Sequence, residues 1–415
     1  MARKPSRVSS KPKAKSQQET RFSTPFGSIN LQRYPRDYDP NLRAWSAADE
    51  YLLHYLAENH LAATSPITAS PNKNAGSGTI SILIVNDTFG ALGVTLAAFN
   101  PTSWSDSLVS QLALNHNLSL NPNQESVRQS LRLAADTWPT QMYDLVLLQL
   151  PKSHAFLRYQ LAIIKRCLTP DGQVVAGTMV KHFHPNLLQH FEDLIGPTET
   201  SLARKKARLI IARNNHDNAA YAITHKTLAD DANRYPLPGT DIELFTLPNV
   251  FSYEKLDIGT RALLPHIPQD SRLKQITDLG CGNGALGIQA ARLNPQAHVT
   301  FCDESYLAIA SARLSAAALA TKKQCSFLVT DTLQDAPQQQ DLVLCNPPFH
   351  QQNSMHTEIA QRMFRQAKEH LTEQGQLLVV ANRHLNYQQV LQRLFARVKP
   401  VDQNRKFIIL QASSS

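Results

Sequence analysis

Nowhere in the 415 residues do eighteen or more apolar residues run together, which leaves no candidate for a membrane-spanning helix. Cysteine is scarce. Cys167, Cys281, Cys302, Cys325 and Cys345 are odd in number and nowhere spaced C-x-x-C, which fits neither a disulfide framework nor a zinc site, so no metal is expected. No apolar h-region follows the N-terminus, and the sequence predicts a soluble protein of the reducing cytoplasm. Acidic residues are outnumbered 33 to 42, and the formal net charge of +9 is unevenly spread. Arg3, Lys4, Arg7, Lys11, Lys13, Lys15 and Arg21 face Glu19 alone. Residues 1–25 are therefore predicted to be a disordered basic tail with phosphate backbones as natural partners, a solubilising tail or a transit peptide being the alternatives. The remaining length and the 42% apolar content allow two domains, each with its own core.

What the chain does have is itself, twice. ILIVNDTFGALGVTLA (82–97) matches ITDLGCGNGALGIQAA (276–291), and YDLVLLQLPKS (143–153) matches QDLVLCNPPFH (340–350). LTPDGQVVAG (168–177) and KARLIIA (206–212) pair in the same order with LTEQGQLLVV (371–380) and RKFIILQ (405–411). Each copy alternates short β-rich runs with helical patterns, as parallel βαβ sheets require. The predicted organisation is a first domain over 26–228, a turn-rich linker over 229–250 containing RYPLPGTD, and a second domain over 251–415. In the second copy the strands are read as QITDL, HVTFCD, CSFLVT, DLVLCN, QLLVVA and KFIILQ, with helices starting near Gly284, Ser305, Met355 and Tyr387.

Only the second copy keeps residues suited to chemistry. Ile84, Asn86 and Thr88 stand in the first copy where Asp278, Gly280 and Gly282 stand in the second, and Gln149, Leu150 and Lys152 stand for Asn346, Pro347 and Phe349. The first domain thus reads as one that kept a fold and lost a ligand. Its cluster of Arg204, Lys205, Lys206, Arg208 and Arg213 suits nucleic acid, or equally an ordinary solvated edge strand.

DLGCGNGALG follows a strand and opens a helix, so backbone can approach a ligand at the sheet's switch point and the helix offers free N–H groups. Gly282, Gly284 and Gly287 satisfy G-x-G-x-x-G with Asp303 about 20 residues on, which admits a nicotinamide dinucleotide. Asp278, ahead of the first glycine, argues otherwise: a carboxylate there repels pyrophosphate but can hold a cationic amino group. Asp303 can accept from both ribose hydroxyls, and Asp331, after the third strand, from an adenine amino group. NPPF ends the fourth strand as a stiff turn, because proline cannot donate to a ladder and fixes the backbone. These features together resemble the S-adenosylmethionine methyltransferase fold.

NPPFHQQ, CDESYLAIASARL, ANRHLNY and FSYEKLDIGTRALL make the resemblance specific. The chain is similar, over about residues 28 to 412, to the guanine-N(2) methyltransferases of ribosomal RNA, more to the large-subunit than the small-subunit members. The resemblance implies an α/β protein of two tandem Rossmann-like class I methyltransferase domains, the N-terminal one degenerate. It implies a seven-stranded sheet in each with the last strand antiparallel, S-adenosyl-L-methionine as cofactor, and N2-methylguanosine in large-subunit (23S) ribosomal RNA as product. In that frame Asp278, Gly280, Gly282, Gly284, Asp303 and Asp331 serve the cofactor. Asp257 and Gly259 lie close to it or simply pack. The Asn346 side-chain oxygen and Pro347 carbonyl accept the guanine amino hydrogens, aiming the nitrogen lone pair, while Phe349 stacks on the base. His350 and His384 are assigned nothing. A guanine of small-subunit ribosomal RNA, then a protein glutamine amide as acceptor, then a non-catalytic RNA-binding assembly factor remain as alternatives, and the residues alone also admit adenine in place of guanine.

Overall fold

The computed structural model describes residues 19–36, 42–61, 80–122, 128–130, 141–215, 228–320, 322–348 and 354–414. Two seven-stranded sheets carry the two copies. Across the second the strands run Cys325–Val329, His298–Asp303, Gln275–Leu279, Gln340–Cys345, Leu371–Asn382, Phe407–Ser413 and Arg397–Gln403. All neighbours are parallel until Phe407–Ser413, which runs antiparallel to both strands beside it. The first sheet repeats this order as Arg128–Ser130, Thr102–Trp104, Ile82–Val85, Tyr143–Gln149, Leu168–Met179, Ala207–Arg213 and Thr198–Thr200. Helices cover both faces, which is why ILIV at 82–85 is buried at every position and the central strands read as apolar runs rather than alternations. Chain order reverses on either side of Gln275–Leu279, so a crevice opens beyond the carboxyl ends of these strands.

Three expectations change. The basic tail ends sooner than residue 25: Arg21–Thr24 pairs antiparallel with Gly27–Asn30, and Phe22 is buried, stacked 4.8 Å from Trp45. Residues 1–18 lie outside the described residues. The linker is a hairpin, Asn233–Pro236 against Glu243–Thr246, whose Leu237 and Leu244 enter the second domain's core. Its Phe245 and Leu247 N–H groups donate to Ser315 (2.8 Å) and Ser311 (3.0 Å), so the turn residues of RYPLPGTD close a hairpin of the second domain. The strand Arg397–Gln403 was absent from those read in the sequence because RVKPVDQ is an exposed edge with no apolar alternation.

The domains meet at equivalent positions. Asp106, just past Thr102–Trp104, accepts from Ser305 Oγ (2.8 Å) and the Leu307 N–H (2.8 Å), at the start of the Tyr306–Ala316 helix. Glu304, just past His298–Asp303, accepts from Ser107 Oγ (2.6 Å) and the Val109 N–H (3.4 Å), at the start of the Leu108–Ser119 helix. Each domain therefore caps a helix of the other, and Ser107 bridges Ser305 between them.

Candidate active site

A cleft of about 1020 Å³ lies where the two domains join, with the second domain's strand ends as its floor. Gly280 and Gly282 line it in left-handed backbone, φ 70° and 53°. A Cβ on Gly282 would meet nothing within 4 Å, so open space faces its backbone. Gly284 also has positive φ but does not line the cleft; there a side chain would press on Phe301 and Ala312 at 3.1–3.2 Å, so it serves helix packing. Asp303 lines the cleft, with one oxygen accepting from the Gly282 N–H and the other from the Ser305 N–H, both at 3.0 Å. Burial raises its pKa above the ordinary carboxylate value.

Asp278 is placed differently from the expectation. It is buried, does not line the cleft, and accepts from the Gly287 N–H at 2.7 Å, fastening the helix Ala285–Leu293 to the strand. In the first domain Asp87 makes the same bond to the Gly93 N–H, also at 2.7 Å. A clamp present in both copies, one of which has Asn86 and Thr88 in place of Gly280 and Gly282, is a device of the fold.

Asn346 shows the sharpest contrast between copies. Its Nδ2 donates to Thr260 Oγ (2.8 Å) and Asp257 Oδ2 (3.2 Å), and its Oδ1 is buried with no partner. An ionised carboxylate only accepts, so Asp257 fixes which amide atom is which and leaves an acceptor bare beside the cleft. Asp257 lines the cleft and caps the helix Ile258–Leu263 through the Thr260 N–H (2.9 Å). Gly259 is buried within that helix and does not line the cleft. In the first domain the counterpart Gln149 is spent: its Nε2 donates to Asp49 (2.6 Å) and its Oε1 accepts from Thr88 Oγ (3.2 Å). Asn86 keeps the left-handed backbone of Gly280, φ 63°, but its amide donates to Gln160 and the Gln149 carbonyl, both at 3.0 Å. The first pocket is thus filled by its own hydrogen bonds.

Pro347 and Pro348 line the cleft; Phe349 and His350 lie outside the described residues. Asp331 lines it too, held by Arg362 in a two-pronged ion pair with both N–O distances 2.6 Å. Each carboxylate oxygen retains a further lone pair for another donor. Sequence reasoning missed Thr260, Arg362 and Asn382. The last lines the cleft with an unpartnered buried Oδ1. Thr260 and Asn382 sit inside the distinctive LDIGTRALL and ANRHLNY, whereas Arg362 comes from the middle of the Ser354–His370 helix and left no local signal.

Burial pushes Asp106 to about 6, Asp87 and Glu304 to about 7, and Asp278 to about 8. These folded values exceed the unfolded ones, so the fold retains extra protons and loses stability as pH rises through them. His60 and His190, lowered chiefly by burial, act in the opposite sense but only below their unfolded value of about 6.5. The melting temperature of the ligand-free protein should therefore fall between about pH 6.5 and 8. A rising or level profile across that window would count against these buried acids.

The described geometry agrees with three comparisons. Residues 19–216 match the family model described as the RLMG N-terminal domain, and 241–411 match the methyltransferase small domain. A protein of Ectopseudomonas mendocina (strain ymp), named ribosomal RNA large subunit methyltransferase G, is 42% identical over 395 residues, covering 94% of this chain and 99% of its own. One of the same name from Aliivibrio fischeri (strain MJ11) is 40% identical over 399 residues, covering 95% and 98%. A T. thermophilus 16S rRNA N2 methyltransferase, solved in complex with AdoMet and guanosine, superposes with TM-score 0.68 at 19% identity over 97% of this chain and 99% of that one. The class I methyltransferase fold, in two tandem domains, follows.

Proposed function

The chain belongs to the family of ribosomal RNA large subunit methyltransferase G, and from that membership we propose that its second domain methylates the exocyclic 2-amino group of a guanine in large-subunit ribosomal RNA, using S-adenosyl-L-methionine. The observation that carries the proposal is the bare Asn346 Oδ1, held beside the cleft by Asp257 and Thr260.

A guanine amino nitrogen has its lone pair delocalised into the ring and becomes acidic only as the new bond forms, so it must be aimed rather than deprotonated beforehand. Two fixed acceptors do this. Asn346 Oδ1 takes one N–H and the Pro347 carbonyl the other, and the proline turn keeps both in place while the bond forms. The proton leaves the amine once methylated, to water or to a nearby acceptor. S-adenosylmethionine supplies an electrophilic methyl group when bound. The residues suit it: Asp303 can accept from its ribose, Asp331, oriented by Arg362, from its adenine amine, and the open side of Gly282 admits close approach.

Reaching the methyl group requires a guanine unstacked from its helix. The tail and the first domain supply phosphate contacts in this reading, so affinity falls with salt. Lys205 and Arg204 pair with Glu50 (2.6 Å) and Glu58 (3.7 Å), but such exposed pairs are worth little and yield readily to phosphate. A cytoplasmic location is part of this reading; among the described residues no helix is long and apolar enough to cross a membrane.

Incubating the protein with tritiated S-adenosylmethionine and large-subunit RNA from cells lacking it tests the proposal. Labelled N2-methylguanosine is expected. Label in N6-methyladenosine, or none in RNA despite cofactor binding, would overturn the substrate assignment.

A further inference from the structure

We propose that Asn382 reads the Watson–Crick edge of the target base and makes the site selective for guanine over adenine; this rests on the reading of an RNA guanine as substrate. Among the described residues, the buried side-chain oxygens and nitrogens left without a partner include two that belong to cleft-lining residues, Asn346 Oδ1 and Asn382 Oδ1. A buried acceptor without a partner is costly to a fold, so two of them at one cleft point to a ligand that brings the missing donors. Asn346 serves the reacting amine. Asn382, only 8% exposed, stands ready for the group beside that amine.

The sheet places the two carboxamides together. Cys345 lies level with Val379 in the parallel ladder, so Asn346 is level with Val380 and Asn382 is two residues further out on the neighbouring strand, about 7 Å along it. Leu344, Leu378 and Val380 enter one core cluster while Cys345, Val379 and Ala381 enter another, and this alternation brings Asn346 and Asn382 to the same face of the sheet. The helix Ile258–Leu263, whose first turn holds Asn346 through Asp257 and Thr260, packs on the strand that ends in Asn382.

The first domain supplies the control. Its Leu168–Met179 strand is the counterpart of Leu371–Asn382 and ends in Met179, paired with Ala207 as Asn382 is paired with Phe407. The fold therefore has no need of an amide at this position, and the amide stands in the copy that also keeps Asn346.

The chemistry of the bases turns this pair into a discriminator. Beside its 2-amino group guanine carries N1–H, a donor, and beyond it O6, an acceptor. A carboxamide meets both at once, Oδ1 accepting from N1–H and Nδ2 donating to O6. Adenine with its 6-amino group against Asn346 presents an unprotonated N1 and then a C–H, so the carboxamide makes one bond at most, and only after turning over. A polar group left unpaired in a dry site is the strongest means of rejecting a near-isostere.

The test uses the full chain and large-subunit RNA assembled by splinted ligation with either guanosine or 2,6-diaminopurine riboside at the methylated position. The analogue keeps the reacting 2-amino group but has an unprotonated N1 and an amine in place of O6. The parent should favour guanosine about 100-fold in kcat/KM. Asn382→Leu, similar in shape but unable to hydrogen bond, should slow transfer to guanosine RNA by about 30-fold or more and shrink the preference to within about fivefold, with cofactor Kd by titration calorimetry within about twofold of the parent. Asn382→Ala should behave alike. Equal use of both RNAs by the parent overturns the proposal whatever the variants do. Variants that slow both RNAs by one factor and keep the preference, or that lose cofactor affinity in step, overturn it in favour of a structural role. If the parent transfers no methyl group even to guanosine RNA, the reading of the substrate fails first and the selectivity falls with it.

Discussion

Asn346→Ala should lower kcat for methyl transfer about 1,000-fold while leaving the cofactor Kd within about threefold of the parent, because in its proposed role Asn346 is an acceptor for the reacting amine and not a cofactor contact. That loss equals about 4 kcal/mol of transition-state stabilisation. Thr260→Val supplies the companion measurement. It removes the hydroxyl that receives Asn346 Nδ2 at 2.8 Å but leaves Asp257, so the amide is loosened rather than lost and kcat should fall by about tenfold. Single-turnover rates and cofactor titrations separate these effects. If Asn346→Ala weakened cofactor binding as much as it slowed transfer, the residue would belong to the cofactor site and the aiming role would be wrong.

The opposite pattern is expected at Asp303. In its proposed role Asp303 accepts two hydrogen bonds from ribose hydroxyls, each worth about 1.5–3 kcal/mol, so Asp303→Ala should raise the cofactor Kd about 100-fold or more. At saturating cofactor, kcat should largely recover. Asp303 also receives the Gly282 and Ser305 N–H groups, so Asp303→Asn, which keeps an acceptor on the same stem, separates loss of the ribose contact from loosening of the glycine loop. A variant that binds cofactor normally but does not turn over would contradict the assignment.

Much of the molecule could be read from the sequence because the internal repeat supplied a control for every inference. The strand ILIV and its counterpart QITDL lie at equivalent central positions of the two sheets, and the departures between copies mark the site. Ile84 where Asp278 stands was a misleading departure, since Asp87 restores the same clamp from three residues further on. A carboxylate that reaches the same N–H from a different backbone position leaves no trace in an alignment by offset. Asp257 stood out within LDIGTRALL as a residue close to the cofactor or one that packs, but its grip on Asn346 spans 89 residues of chain, and nothing local announces it. Arg362 against Asp331 is of the same kind: the partner is chosen by the folding of the Ser354–His370 helix over the sheet, not by spacing. The hairpin over 233–246 was hidden for another reason. Proline and glycine in RYPLPGTD signal a turn equally well in a linker and in a hairpin, and only the burial of Leu237 and Leu244 distinguishes them.

The exchange of caps between Asp106 and Glu304 has the form of an isologous dimer contact, residue for equivalent residue, made within a single polypeptide. A duplicated domain that joins its twin in this way cannot be discarded when its own pocket closes. Cutting it off would take the Asp106 carboxylate from the Leu307 N–H and Ser305 Oγ, leaving Ser305 as the helix's own cap, and would open Glu304, next to Asp303, to solvent. Loss of chemistry in one twin and its retention as scaffold are then two sides of the same symmetry: the silent half persists because the active half borrows a side chain from it, and lends one back.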